Sequence, residues 1–326
     1  MTRARIIGVG SYAPKRILTN ADLEKIVDTN DEWIVQRSGI RQRHIVDEGE
    51  ATSDLAVRAA QQAIEHANLV PEDIDFIAVG TTTPDMYFPS VGNILQQRLG
   101  CRRVGSVDML AACAASIYSL SIGAQFIQTG KYQRVLCVGA ETLSRITDFT
   151  DRATCVLLAD AAGAAVLAPS TDDRGLIDFD LYSDGQYWEL LYMPGGGSRN
   201  PASRETVDAR MHYAKMKGAE VFKVAVRMFA ECAERILSRN GFTADDVNLF
   251  IPHQANLRII EAACKRVNLP MDRVFVNVDR YGNTGAASVY VALEEALGAG
   301  RIKRGDLVLL AAFGGGFAWG AVLMRW

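Results

Sequence analysis

The chain has 326 residues, 49% hydrophobic and 22% charged, a balance that excludes disordered and collagen-like classes. Thirty-five Lys and Arg stand against 38 Asp and Glu, for a net charge of −3, which excludes a global attraction for nucleic acid. Six cysteines, Cys101, Cys113, Cys137, Cys155, Cys232 and Cys264, lie far apart with no Cys-x-x-Cys pair, so neither a zinc ribbon nor a disulfide scaffold is indicated.

Taken in chain order, the first apolar run ends at Val9, between Arg5 and Lys15. It is too short for a signal-peptide core and reads as a first strand. Thr52–Asn68 opens on Thr-Ser-Asp and repeats apolar residues at helical spacing, which predicts an amphipathic helix. Phe76–Val79, Val107–Leu110, Val135–Val138, Leu249–Ile251, Val274–Val278 and Leu307–Ala312 predict buried parallel strands. Lys217–Leu237 predicts a second long helix, with Val221, Val224, Ala225, Met228 and Cys232 on one stripe. Gly195–Pro201 reads as an exposed loop. The uncharged stretch Leu307–Met324 is 18 residues long, the lower limit for a membrane-spanning helix. Its Gly314-Gly315-Gly316 run instead predicts strand, turn, strand. A cytoplasmic protein with reduced thiols and no membrane span follows.

The chain also repeats itself. Ala114-Ala115-Ser116-Ile117-Tyr118 returns 172 residues further on as Ala286-Ala287-Ser288-Val289-Tyr290, and Val135–Val138 falls on Leu307–Leu310 at the same offset. Asp73–Ile77 resembles Asp246–Phe250, and Gly163–Leu167 resembles Gly320–Leu323. Four matches in one order predict a duplicated α/β unit, with halves 1–172 and 173–326.

The repeat singles out Cys113, which follows a strand and opens the repeated helix, whereas its counterpart is Gly285. Backbone N–H groups and the helix dipole at such a position favour a thiolate. Position alone leaves two readings, a nucleophile or a small residue packed in a tight turn. His253, in Pro252-His253-Gln254-Ala255-Asn256, lies at the carboxyl end of a strand, where α/β ligand sites form. Asn283, in Tyr281-Gly282-Asn283-Thr284-Gly285, precedes the second copy of the helix and suits a turn or cap as well as a site. Cys137, Cys155, Cys232 and Cys264 sit in apolar or helical patterns and read as buried. Cys101, beside Arg102 and Arg103, reads as an exposed thiol.

Together with Asp28–Ile34, Arg37–Ile40, Ala111–Ala114, Gly282–Thr284 and Phe313–Phe317, this set resembles the β-ketoacyl-acyl-carrier-protein synthase III family of the thiolase superfamily, over nearly the whole chain. The resemblance implies an α/β thiolase-like duplicated fold, layered α-β-α-β-α with two pseudo-symmetric halves. It implies that Cys113 attacks an acyl-CoA, and that malonyl-acyl-carrier-protein then loses carbon dioxide and condenses with the acyl group. His253 and Asn283 would stabilise the enolate, and the backbone N–H groups of Cys113 and Gly315 would form the oxyanion hole. Trp33 and Arg152 match positions that sandwich the CoA adenine, and Arg37 matches a phosphate contact. Gly218, Phe222 and Asn256 match pantetheine-tunnel positions. Phe88 matches a residue lent across a homodimer to the partner's acyl pocket. Lys223, Arg258, Lys265 and Arg266 would dock the acidic carrier protein. CoA thioester enters as substrate, and no cofactor or metal is implied.

Departures from the family pattern are Ala115-Ser116 for Gly-Phe, Ala159 and Ala161 for glycines flanking Asp160, and Gly285 for serine. They bear on primer preference rather than on the chemistry. Degradative thiolases use a second cysteine in the C-terminal glycine loop, which here has none. The same residues also suit a relative that primes polyketide or other secondary-metabolite synthesis. A non-catalytic carrier-protein-binding subunit would not need Cys113, His253 and Asn283 together.

Overall fold

Val135–Thr142 and Leu307–Gly314 are buried along their whole length, which is why both read as unbroken apolar runs. Each is a central strand of a mixed sheet. In the computed structural model, which describes residues 2–326, the first sheet runs Ala4–Tyr12, Asp160–Pro169, Val135–Thr142, Phe76–Gly80, Gly105–Met109. Its first two pairings are antiparallel and its last two parallel. The second sheet runs Gly175–Ser183, Ala318–Arg325, Leu307–Gly314, Leu249–Pro252. Here too two antiparallel pairings are followed by a parallel one.

Strand alternation assigns the helices to layers. Val135 and Cys137 face a central cluster shared with Val308, Leu310 and the helices Ala115–Gln128 and Ser288–Gly298. Leu136 and Val138 face the other way, onto Thr52–His66 and Val91–Leu99. Leu307 and Leu309 face Gly218–Arg239 and Leu257–Arg266. The result is five layers, α-β-α-β-α, with the two repeated helices packed together in the middle. Tyr290 ties them: its fully buried hydroxyl lies 2.7 Å from Ser119 Oγ and donates to Ser116 O at 3.2 Å.

Three local expectations change. Val274–Val278 is not a strand. Val274 forms one bridge to Phe250, the Phe275 N–H donates to Phe250 O, and a short helix starts at Val278. The run is apolar because it covers the edge of the second sheet, not because it extends it. Cys101 is buried rather than exposed, packed with the outer helices of the first sheet. Gly105–Met109 stops one residue before Leu110, which is 82% exposed. Leu307–Met324 forms two antiparallel strands around the glycine turn, and among the described residues no helix is long and apolar enough to cross a membrane.

Candidate active site

The two repeated helices begin at strand ends, side by side, and the candidate residues gather there. After the strand Gly105–Met109, Ala112 takes φ +46° and Cys113 stands in the 3₁₀ turn Ala112–Ala114 that leads into Ala115–Gln128. A left-handed residue just before a nucleophile lifts its side chain out of a strand-to-helix turn.

His253 follows the strand Leu249–Pro252, and its N–H donates to Ala311 O at 2.8 Å. The ring is 1% exposed, edge-on to Phe313 at 5.6 Å, with Nδ1 2.6 Å from Ser288 Oγ. Asn283 is held on both sides. Its N–H donates to Leu157 O, its carbonyl accepts from the Ala159 N–H, and its Oδ1 accepts from the Gly285 N–H at 3.0 Å. With Oδ1 engaged, Nδ2 is the group left for a ligand.

Cys113 is the junction of two cavities. One, about 550 Å³, is lined by Cys113, His253 and Asn283 together with Trp33, Arg37, Arg152, Gly218, Phe222 and Asn256. Lys223 and Arg258 line it too, both exposed. The other, about 480 Å³, is mostly apolar and is lined by Cys113, Asn283, Gly315, Leu143, Leu158 and Met216 among others. A group bound through the first cavity can therefore deliver a chain to Cys113 that extends into the second.

The remaining candidates lie outside these cavities. Lys265 and Arg266 are exposed at the end of the helix Leu257–Arg266, and Phe88 is 85% exposed and lines neither cavity. Cys264, the last cysteine, is buried in the outer helical layer. All six cysteines are free thiols, and among the described residues no group of three His, Cys, Asp or Glu side chains is placed to hold a metal ion.

Within the first cavity, the Arg152 guanidinium lies 4.9 Å over the Trp33 ring and donates to Asp28 O at 2.8 Å. A planar group entering between them must part this pair. Asn256 caps the helix Leu257–Arg266 and donates through Nδ2 to Arg37 O at 3.0 Å.

Two findings go beyond the sequence reading. The helix start was expected to hold Cys113 as thiolate. Instead, part of the thiol stays open to the cavity while protein surrounds the rest. That burial, reinforced by the nearby Glu141 carboxylate, pushes the thiol up to about 12. Burial and the carboxylate together outweigh the backbone hydrogen bond that lowers it. Glu141 is the second finding. It is the penultimate residue of the strand Val135–Thr142, is 1% exposed, and accepts from the Thr82 N–H, from Thr82 Oγ1 and from Thr83 Oγ1. Burial raises its carboxyl to about 7. A charge closing an otherwise apolar run was the signal for it. Glu141 also accounts for Gly285: at φ +55°, a Cβ there would sit 2.8 Å from Glu141 Cγ.

Gly314 is equally constrained. A Cβ on it would fall 2.5 Å from the backbone nitrogen of Cys113. Gly314→Ala is therefore expected to shift the turn that carries Cys113 and to slow the acylation expected there about 100-fold, with the circular dichroism spectrum unchanged. An unaltered acylation rate would show that the turn tolerates the methyl group.

The sequence profile described as "3-Oxoacyl-[acyl-carrier-protein (ACP)] synthase III" matches residues 107–185, and that described as the same enzyme's "C terminal" matches residues 237–326. The "Beta-ketoacyl-[acyl-carrier-protein] synthase III" of Caldanaerobacter subterraneus subsp. tengcongensis is 51% identical over 323 residues, which is 99% of this chain and 98% of that protein. The 3-oxoacyl-[acyl-carrier-protein] synthase III structure from Aquifex aeolicus VF5 is 46% identical, with a TM-score of 0.92 over 99% of this chain and 100% of that one. The corresponding Thermus thermophilus structure is 44% identical with a TM-score of 0.92, covering 99% of each chain.

Proposed function

This chain belongs to the 3-oxoacyl-[acyl-carrier-protein] synthase III family, and from that premise we propose that Cys113 takes the acyl group of an acyl-CoA primer and passes it to malonyl-acyl-carrier-protein. The enzyme is an acyltransferase with a thiolase-like fold that performs the initiating condensation of fatty acid synthesis. The observation that supports this reading of the site is that Cys113 and Asn283 line both the cavity edged by Arg37, Arg152, Lys223 and Arg258 and the cavity lined by Leu143 and Leu158.

The steps follow from the residues. The Cys113 sulfur attacks the thioester carbonyl, the carbon–sulfur bond to CoA breaks, and the thiol proton ends on the departing CoA sulfur. The N–H groups of Cys113 and Gly315 hold the oxyanion of this step. The malonyl thioester then loses carbon dioxide, and its electron pair moves onto the thioester carbonyl oxygen as an enolate. His253 and Asn283 Nδ2 donate hydrogen bonds to that oxygen. The enolate carbon attacks the acyl-cysteine, Cys113 leaves as thiolate, and a proton from solvent restores the thiol. The product is β-ketoacyl-acyl-carrier-protein.

Trp33 and Arg152 clasp the CoA adenine, Arg37 meets a phosphate, and Gly218, Phe222 and Asn256 line the pantetheine path. Lys223, Arg258, Lys265 and Arg266 receive the acidic carrier protein through local charge rather than net charge. The enzyme acts as a homodimer in which Phe88 enters the partner's acyl pocket. The exposed apolar side chains Met86, Tyr87, Phe88 and Leu110 support that reading. The free thiols support a cytoplasmic location. Residues 1–172 and 173–326 form the two halves, and the shared strand order of the two sheets supports the duplication. No cofactor is used, since CoA arrives as part of the substrate.

The test is to supply acetyl-CoA and malonyl-acyl-carrier-protein to the purified enzyme. Release of carbon dioxide with formation of acetoacetyl-carrier-protein is the expected result. Acylation of Cys113 without any condensation product would overturn the condensing role.

A further inference from the structure

The two nitrogens of His253 have different surroundings. Nδ1 lies 2.6 Å from the hydroxyl of Ser288, and that hydroxyl oxygen lies 3.3 Å from the backbone nitrogen of Gln254. All three residues are 1% exposed, so their hydrogen bonds must close within the protein. The Gln254 N–H can only donate, and it takes one lone pair of the hydroxyl. It is rigidly placed, because the Gln254 side chain donates to Pro252 O and Phe275 O and accepts from the Asn277 and Val278 N–H groups.

This leaves two arrangements. If Nδ1 carried the proton, Ser288 would accept twice and its own hydroxyl proton would have no acceptor. If Nδ1 is bare, the hydroxyl donates to it and every group is satisfied. We propose that Ser288 is a positioning residue that fixes His253 as a neutral imidazole with its proton on Nε2, aimed into the cavity.

The inference rests on the reading of His253 as the enolate's hydrogen-bond donor. With the proton on Nε2, the ring donates to the thioester oxygen as charge builds there. The other tautomer would present a lone pair to that oxygen and repel it. Ser116, the counterpart of Ser288 in the repeat, has a buried hydroxyl oxygen with no hydrogen-bond partner among the described residues. Only the second copy of the serine has a histidine to orient.

The experiment labels the enzyme with ¹⁵N-histidine and reads the tautomer of His253 by nitrogen–proton correlation, His253→Asn supplying the assignment. The wild type should show a protonated Nε2 and a bare Nδ1 at neutral pH. Ser288→Ala should lose that preference and slow malonyl decarboxylation roughly 10- to 100-fold. The loss is smaller than the roughly 10⁴-fold seen where a wrong tautomer is imposed, because a freed ring still samples the right one. Cysteine acylation by acetyl-CoA should stay within about twofold, and Ser288→Thr, which keeps the hydroxyl, should restore tautomer and rate together. A proton on Nδ1 in the wild type, or a Ser288→Ala enzyme with unchanged tautomer and decarboxylation, would overturn the proposal; the wild-type spectrum decides even where a variant folds poorly. Normal decarboxylation by His253→Ala would instead overturn the role of His253 and leave the tautomer assignment standing.

Discussion

Cys113→Ala should abolish the acyl-enzyme: intact-mass spectrometry after acetyl-CoA should show the unmodified chain, where the wild type gains one acetyl group. Condensation should fall by roughly 10⁴-fold or more, the scale on which loss of a covalent nucleophile acts. A persistent adduct on the variant would move the nucleophile elsewhere. The wild-type thiol provides a second measurement. With burial and Glu141 pushing it up to about 12, the thiolate is the minor form throughout the neutral range. A raised thiol pKa means that thiolate appears only as pH rises. Alkylation by iodoacetamide should therefore climb about tenfold per pH unit from pH 6 to 9 without levelling. A plateau near neutrality would mean that the helix dipole prevails over burial.

His253→Ala should separate the two half-reactions. Acylation of Cys113 is expected to persist, because the oxyanion hole proposed for that step is built from backbone N–H groups. Malonyl decarboxylation should drop about 100- to 1,000-fold, the loss that follows removal of one preorganised donor. Burial also pushes the imidazole down to about 3, so the donor is the neutral ring. The decarboxylation rate should then show no dependence on His253 protonation from pH 5 to 8. A fall in rate centred near pH 6.5 would point to an imidazolium and against this picture. Decarboxylation at the wild-type rate in the variant would remove His253 from the step altogether.

Much of the layered fold could be read in the sequence, for a local reason. Strands buried on both faces are apolar throughout, as in Val135–Val138 and Leu307–Ala312, and amphipathic helices keep their stripe, as in Gly218–Arg239. Val274–Val278 misled because an apolar segment that covers a sheet edge has the same composition as a strand within one. Cys101 misled because flanking arginines suggest exposure, whereas its side chain turns into the outer core.

Sequence pattern, together with the family resemblance, named the residues that meet at the site. Cys113, His253 and Asn283 stand at strand ends or helix starts, and those positions follow from short-range pattern and from the repeat. Tertiary structure decided their chemical state. The protonation of Cys113 depends on the protein packed around it and on Glu141, which arrives from another strand of the same sheet. The orientation of His253 depends on Ser288, at the start of the helix Ser288–Gly298, and the closed Trp33–Arg152 pair joins residues far apart in the chain. Burial and hydrogen-bond closure are properties of the surroundings in space, and no local stretch of residues encodes them.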